Sequence, residues 1–90
     1  MKFLHYDFDI GPEDTVEVEL DGQANVFLLD DSNFSNYKSG RAYNYYGGIA
    51  KKSPVFLSPP HQGHWNLIID LGGYAGSVNA SVRANKGHYA

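Results

Sequence analysis

Apolar and polar residues alternate through most of this chain, and the repeat is two positions rather than three or four. Leu4, Tyr6, Phe8 and Ile10 fall on one face of an extended segment, with His5, Asp7 and Asp9 on the other. Gly11-Pro12 breaks that segment. Val16, Val18 and Leu20 then alternate with Glu17, Glu19 and Asp21, and Asp21-Gly22 is a hairpin-turn dipeptide. Ala24 to Leu29 is apolar on both faces and reads as a central strand. Tyr43 and Tyr45 alternate with Asn44 and Tyr46 in a strand that Gly47-Gly48 should close. Val55 and Leu57 face one way after Ser53-Pro54, where proline suits an edge or a strand start. In GHWNLIIDLGGYAG, residues 63–76, Trp65, Leu67, Ile69 and Leu71 share one face, and Asn66, Ile68 and Asp70 share the other. Gly72-Gly73 is expected to reverse the chain, and Val78, Ala80, Val82 and Ala84 form the last alternating run.

One segment departs from this period. In DDSNFSNYKSG, residues 30–40, Phe34, Tyr37 and Lys38 sit at helical spacing. Ser32 or Asn33 could cap a short helix there, and Gly40 would end it. The pattern predicts an all-β chain, a compact antiparallel β-sandwich or small barrel of about seven or eight short strands, with at most one short helical turn near 32–39. Residues 1–90 read as a single domain, with 84–90 as a frayed tail.

Composition narrows the function. The chain has 90 residues, 42% of them hydrophobic and 19% charged, the balance of a globular domain rather than a disordered one. A formal charge of −3 argues against a general nucleic-acid binder, which needs a basic face. The absence of cysteine removes disulfides, thiolate metal sites and cysteine nucleophiles. Small secreted domains usually carry disulfides, so a cytoplasmic location is expected. The start, MKFLHYDFDIG, is not expected to be a signal peptide, and no stretch reaches membrane-spanning length. Asn33-Phe34-Ser35 and Asn79-Ala80-Ser81 fit the glycosylation pattern, which has meaning only in an exported protein.

Candidate chemistry is sparse. His61 and His64 are three residues apart, and a metal would need a further ligand from Asp70, His5 or Asp31. In a strand His64 and Asp70 lie roughly 20 Å apart, too far to share an ion. The plainer reading leaves His61 solvated and places His64 beside Trp65 at a strand start, so no metal and no cofactor is expected. Serine, histidine and aspartate are all present, but the GxSxG elbow of a hydrolase is not. Glu17 and Glu19 read as a solvated strand face. LGGYAG lacks the GK[ST] of a phosphate loop and has no helix pattern after it. What stands out is tyrosine: Tyr37, Lys38, Arg41, Tyr43, Tyr45 and Tyr46 crowd ten residues. Tyrosine gives apolar area with a polar tip at small entropic loss, which suits recognition, although it also packs well inside sheets.

The landmarks DDSNFSNYKSG (within it SNFxxYKxG), YNYYGG, KSPV, GHW, DLGGYAG and SVNASVR arrive in an order that resembles a small bacterial family of unknown function. That family occurs alone or fused to TIR domains, and the resemblance runs from about Lys2 to Arg83. It implies an all-β fold. It implies no established activity, so no functional residue is carried over. The company of TIR domains, which act in bacterial defence and NAD-derived signalling, implies a sensor or accessory role.

These readings lead to a non-catalytic recognition module, whose surface combines residues 30–46 with 58–64. Tyr37, Lys38, Arg41, Tyr46, His64 and Tyr74 are its expected contact residues. The expected partner is a protein, a glycan or a nucleotide-like small molecule, with neither nucleic acid nor membrane. The alternatives are a self-associating scaffold that forms a homodimer, and a small metal-assisted enzyme using His61 and His64.

Overall fold

Because side chains alternate between faces of a strand, a sheet with helix on one side and sheet on the other needs strands that are apolar throughout. Two stretches of this chain have that character, and they occupy the middle of the fold. The structure is a computed structural model and describes residues 3–71 and 78–87. In chain order the elements are β1 (Phe3–Ile10), β2 (Thr15–Leu20), β3 (Ala24–Asp30), α1 (Asp31–Lys38), β4 (Tyr46–Ala50), β5 (Val55–Leu57), β6 (Gly63–Asp70) and β7 (Ala80–Asn85). Strands β1-β6-β3-β4 make one sheet and β5-β2-β7 the other, and all pairings between them are antiparallel. The expected sandwich is borne out: two separate sheets rather than a closed barrel.

The register fixes the layers. Pairing of Val26 with Ile69 and Leu28 with Leu67 aligns one face of β3 and β6. That face meets Val16 and Val18 of β2, with Ile10, Ala24, Ala50 and Trp65 completing the buried cluster. The opposite face carries Phe27, Leu29 and Ile68, and α1 lies over it through Tyr37, with Phe3, Phe34 and Tyr43 at the margins. Strand β6 is thus covered on both sides: every residue from Trp65 to Asp70 is buried, with Trp65, Leu67 and Ile69 toward the second sheet and Ile68 between the polar Asn66 and Asp70 toward the helix. Each fully buried aliphatic or aromatic side chain contributes about 1.5–3 kcal/mol.

The helix is longer than the single turn expected. It spans eight residues, and the cap is Asp30 rather than Ser32 or Asn33. The Asp30 carboxylate accepts from the Asn33 backbone N–H at 2.8 Å and from its side-chain amide at 2.9 Å. A second turn is needed to carry both Phe34 and Tyr37 over the sheet. After the helix, residues 41–45 run back along it, tied by Arg41 N–H to Asn36 O at 2.9 Å and by Asn44 N–H to Asn33 Oδ1 at 2.8 Å.

Strand β4 corrects the expected boundary. Tyr43 and Tyr45 precede the strand, and Gly47 and Gly48 lie inside it rather than closing it. Gly47 has φ +118°, and a Cβ there would run into the carbonyl oxygen of Val26 on β3. The glycine allows close backbone approach within the sheet, not a turn. At the other end of the chain, residues 84–87 are held rather than frayed: β7 reaches Asn85, Gly87 N–H donates to Asp14 Oδ1 at 2.8 Å, and Lys86 Nζ donates to Asp9 O at 2.9 Å. The expected reversal at Gly72-Gly73 lies outside the described residues, as do residues 88–90. No helix among the described residues is long and apolar enough to cross a membrane.

Candidate functional site

Two surface regions gather polar or aromatic side chains. The first sits where α1 begins. The register places Asp7 opposite Asn66 and Asp9 opposite His64, so the helix-facing side of the β1–β6 pair is polar at this end. Asp31, first residue of α1, reaches the same place. His64 holds Asp31 Oδ1 through Nδ1 at 2.7 Å and Asp7 Oδ2 through Nε2 at 3.0 Å. Buried Asn66 donates to Asp31 Oδ1 at 2.9 Å and to Leu29 O at 3.3 Å, while its carbonyl oxygen faces His5 Nε2 at 2.8 Å. The His5 ring stacks on Phe34 with centroids 4.3 Å apart.

With a carboxylate on each ring nitrogen, His64 is best satisfied as an imidazolium. The hydrogen bonds to Asp31 and Asp7 accordingly raise its pKa above the ordinary 6.5. The amide of Asn66, followed by His64, lowers that of Asp31 below 3.8. A ring in this state has no lone pair with which to take a proton from a substrate. The cluster works as a brace joining β1, β6 and the first turn of α1. His61 is not part of it: its ring packs 5.0 Å from that of Trp65, and its carbonyl accepts from Trp65 Nε1 at 3.1 Å. The two histidines considered as metal ligands therefore do not converge. No group of His, Cys, Asp or Glu suited to a metal ion occurs among the described residues.

The second region is the flank formed by β4 and β5, the neighbouring edges of the two sheets. Leu57 of β5 lies within van der Waals reach of the Gly47 Cβ position. Five large hydrophobic side chains are exposed among the described residues, and four belong to this flank: Tyr45 at 47%, Tyr46 at 47%, Ile49 at 61% and Phe56 at 57%. Tyr45 leans on Phe27, and Tyr46 meets Trp65 edge to face at 5.9 Å. Lys51 and Lys52 follow β4 directly. Residues 32–69 contain Lys38, Arg41, Lys51 and Lys52 and no acidic residue, whereas nine of the ten acidic residues fall within 1–31. The net charge of −3 is thus a difference between a strongly acidic first third and a basic middle.

Beyond the geometry, a family of domains of unknown function, DUF1883, matches residues 1–88. The chain belongs to the DUF1883 family. No curated protein and no solved structure matches it.

Within this DUF1883 domain five of the six expected contact residues are described, and those five do not form one surface. Tyr37 is 4% exposed and lies in the second core, where its hydroxyl donates to Asp70 Oδ2. Burial and then the Asp70 carboxylate push its pKa well above the ordinary tyrosine value, so it stays a proton donor. Lys38 extends from the last turn of α1, its ammonium 4.5 Å from the Phe34 ring centre. Arg41 is exposed at the start of the return segment, and Tyr46 opens β4. His64 belongs to the brace, and Tyr74 lies outside the described residues. Sequence reasoning placed Tyr45 in the tyrosine cluster and within the expected 30–46 surface, but passed over Ile49, Phe56, Lys51 and Lys52. The signal that could have found them is the run of 38 residues, 32–69, with cations and no carboxylate.

Proposed function

We propose that this domain is a non-catalytic recognition module that binds its partner along the β4–β5 flank. One observation carries the reading: four of the five exposed large hydrophobic side chains among the described residues lie on or next to these two strands, within a stretch, 32–69, that holds four of the seven lysines and arginines and no acidic residue. Exposed aromatic and aliphatic groups rimmed by positive charge suit an anionic partner, with the rings supplying contact area and the cations supplying orientation and encounter rate. The brace around His64 supports a non-catalytic role, because its ring nitrogens and both carboxylates are committed to one another. The setting we propose is a sensing or accessory domain of bacterial TIR-type defence in the cytoplasm, resting on the family resemblance.

The test is quantitative affinity capture with the wild-type domain, an Arg41→Ala/Tyr46→Ala variant, and Glu13→Ala, which is far from the flank in the chain and exposed. Partners enriched by the wild type should be lost with the double variant and kept with Glu13→Ala. An unchanged set with the double variant, confirmed as folded by circular dichroism, rejects the assignment of this surface.

A further inference from the structure

The outer edges of the two sheets are β1, β4, β5 and β7, and an edge exposes unpaired backbone groups that invite another strand. Natural edges are blunted by charge, proline, brevity or cover. β1 carries His5, Asp7 and Asp9, and Lys86 already occupies the Asp9 carbonyl at 2.9 Å. β5 has three residues, with Pro54 directly before it and Pro59 two residues beyond. β7 carries Arg83, set against Glu17 of β2 at 3.9 Å. β4 has none of these devices. Its sequence YGGIA has no charge and no proline, and it pairs with β3 on one side only.

We propose that the free edge of β4 receives an extended, acidic segment of a partner protein as a fifth strand of the four-stranded sheet. This rests on the recognition reading above and names the partner class and the mode of contact. Backbone hydrogen bonds along Tyr46–Ala50 provide the register-independent part of the binding, as in strand addition generally. Alternation then sorts the side chains: Tyr45 and Ile49 lie on the helix-facing side of the sheet with Gly47 between them, and Tyr46 lies on the other side. On the helix-facing side an incoming strand meets Tyr45 and Ile49 at the two ends and the bare backbone of Gly47 between them. Cations stand at both ends of the strand in sequence, Arg41 before it and Lys51 and Lys52 after it, and acidic side chains are absent from residues 32–69. That charge selects acid in the partner. A second copy of the chain is a poorer occupant, because its acidic edge strand β1 has Asp7 engaged by His64 and Asp9 O engaged by Lys86.

The test uses a fluorescent library of ten-residue peptides in which Glu or Asp alternates with Val, Thr or Tyr, titrated against isotope-labelled full-length domain. Binding should perturb the amides of Tyr46–Ala50 and raise their protection from exchange. Lys51→Glu/Lys52→Glu should weaken it about tenfold, as two exposed pairs turn from attraction to repulsion. N-methylation of alternate peptide amides should abolish it. Binding that survives N-methylation on both edges overturns strand addition while leaving recognition by this flank standing. So does equal binding of Lys-for-Glu peptides or of oligodeoxythymidylate, either of which rejects the acidic segment. Failure of every acidic peptide, or a free domain whose β4 edge is already occupied by a second copy on light scattering, also overturns it. If Arg41→Ala/Tyr46→Ala also leaves partner capture unchanged, the broader reading falls with it.

Discussion

The two flanks of this sandwich are built on opposite principles. Where β1 lies near the end of β7, the sheets are fastened: Asp14 accepts from Gly11 N–H and Gly87 N–H, each at 2.8 Å, and from Lys86 Nζ at 3.2 Å, while Lys86 also reaches Asp9 O. Where β4 lies near β5, no side-chain hydrogen bond among the described residues joins the two strands, and bare rings and cations face solvent instead. The first flank spends its polar groups on the chain itself. The second leaves much of its ring and cation surface open to solvent, which is the condition for binding something else. Stability and recognition are thereby assigned to different edges of the same two sheets.

That contrast can be broken by substitution. The largest effect is expected at Gly47. Gly47→Val forces a branched side chain into a left-handed backbone and against Val26 O, which should destabilise by about 3 kcal/mol or more. Exchange protection should vanish first from β4 and persist in β1. A variant as stable as the wild type would show that β4 does not lie as close to β3 as described. Next is Tyr37→Phe, which removes the donor to Asp70 beneath the helix without altering shape and should cost about 1–3 kcal/mol by denaturant titration. Arg41→Ala should leave stability near the wild-type value in the same assay.

The flanks themselves differ at smaller scale. Asp14→Ala should lower the melting temperature and expose the Gly11 and Gly87 amides to exchange, whereas Lys51→Ala/Lys52→Ala should move stability by no more than about 0.5 kcal/mol. Equal effects would erase the distinction between them. The amides of Gly87 and Gly11 hold the Asp14 carboxyl below its usual range, so the fastening is complete above pH 3.8 and is lost as pH falls through the lowered value.

The smallest effect is the pH response of the brace. Folding raises the pKa of His64, so the folded state holds that proton more tightly than the unfolded chain does. Its contribution is complete below pH 6.5 and fades as pH rises through the raised value. Asp31 has the opposite sense: its contribution is present above pH 3.8 and fades as pH falls through the lowered value. The brace is therefore whole between 3.8 and 6.5. The wild type should lose a little melting temperature between pH 6 and pH 8, and His64→Gln should abolish that loss. A His64 resonance titrating below 6.5 would contradict the two-carboxylate geometry.

Much of the architecture was legible because period-two burial is a local signal. Val16 and Val18 alternating with glutamates, and WNLIID with apolar residues on both faces, announce a half-buried strand and a central one. The Tyr37 environment was not legible, since nothing local distinguishes a tyrosine under a helix from one on a surface; the sheet beneath it decides. The brace was hidden for a similar reason: His5, Asp7, Asp31, His64 and Asn66 come from three separate stretches that only the strand register brings together. Gly47-Gly48 misled because a glycine pair marks a turn more often than a close strand contact, and the difference lies in Val26 across the sheet. Summed charge misled in another way, since a total of −3 conceals where each sign sits along the chain.

Strand β6 has no idle side. A slip of one position against β1 and β3 would turn Asn66 and Asp70 inward onto the second sheet and swing Trp65 beneath the helix, so neither face could absorb the error. The middle of the molecule therefore acts as its ruler, and additions or deletions of single residues belong in the connectors rather than anywhere between Trp65 and Asp70.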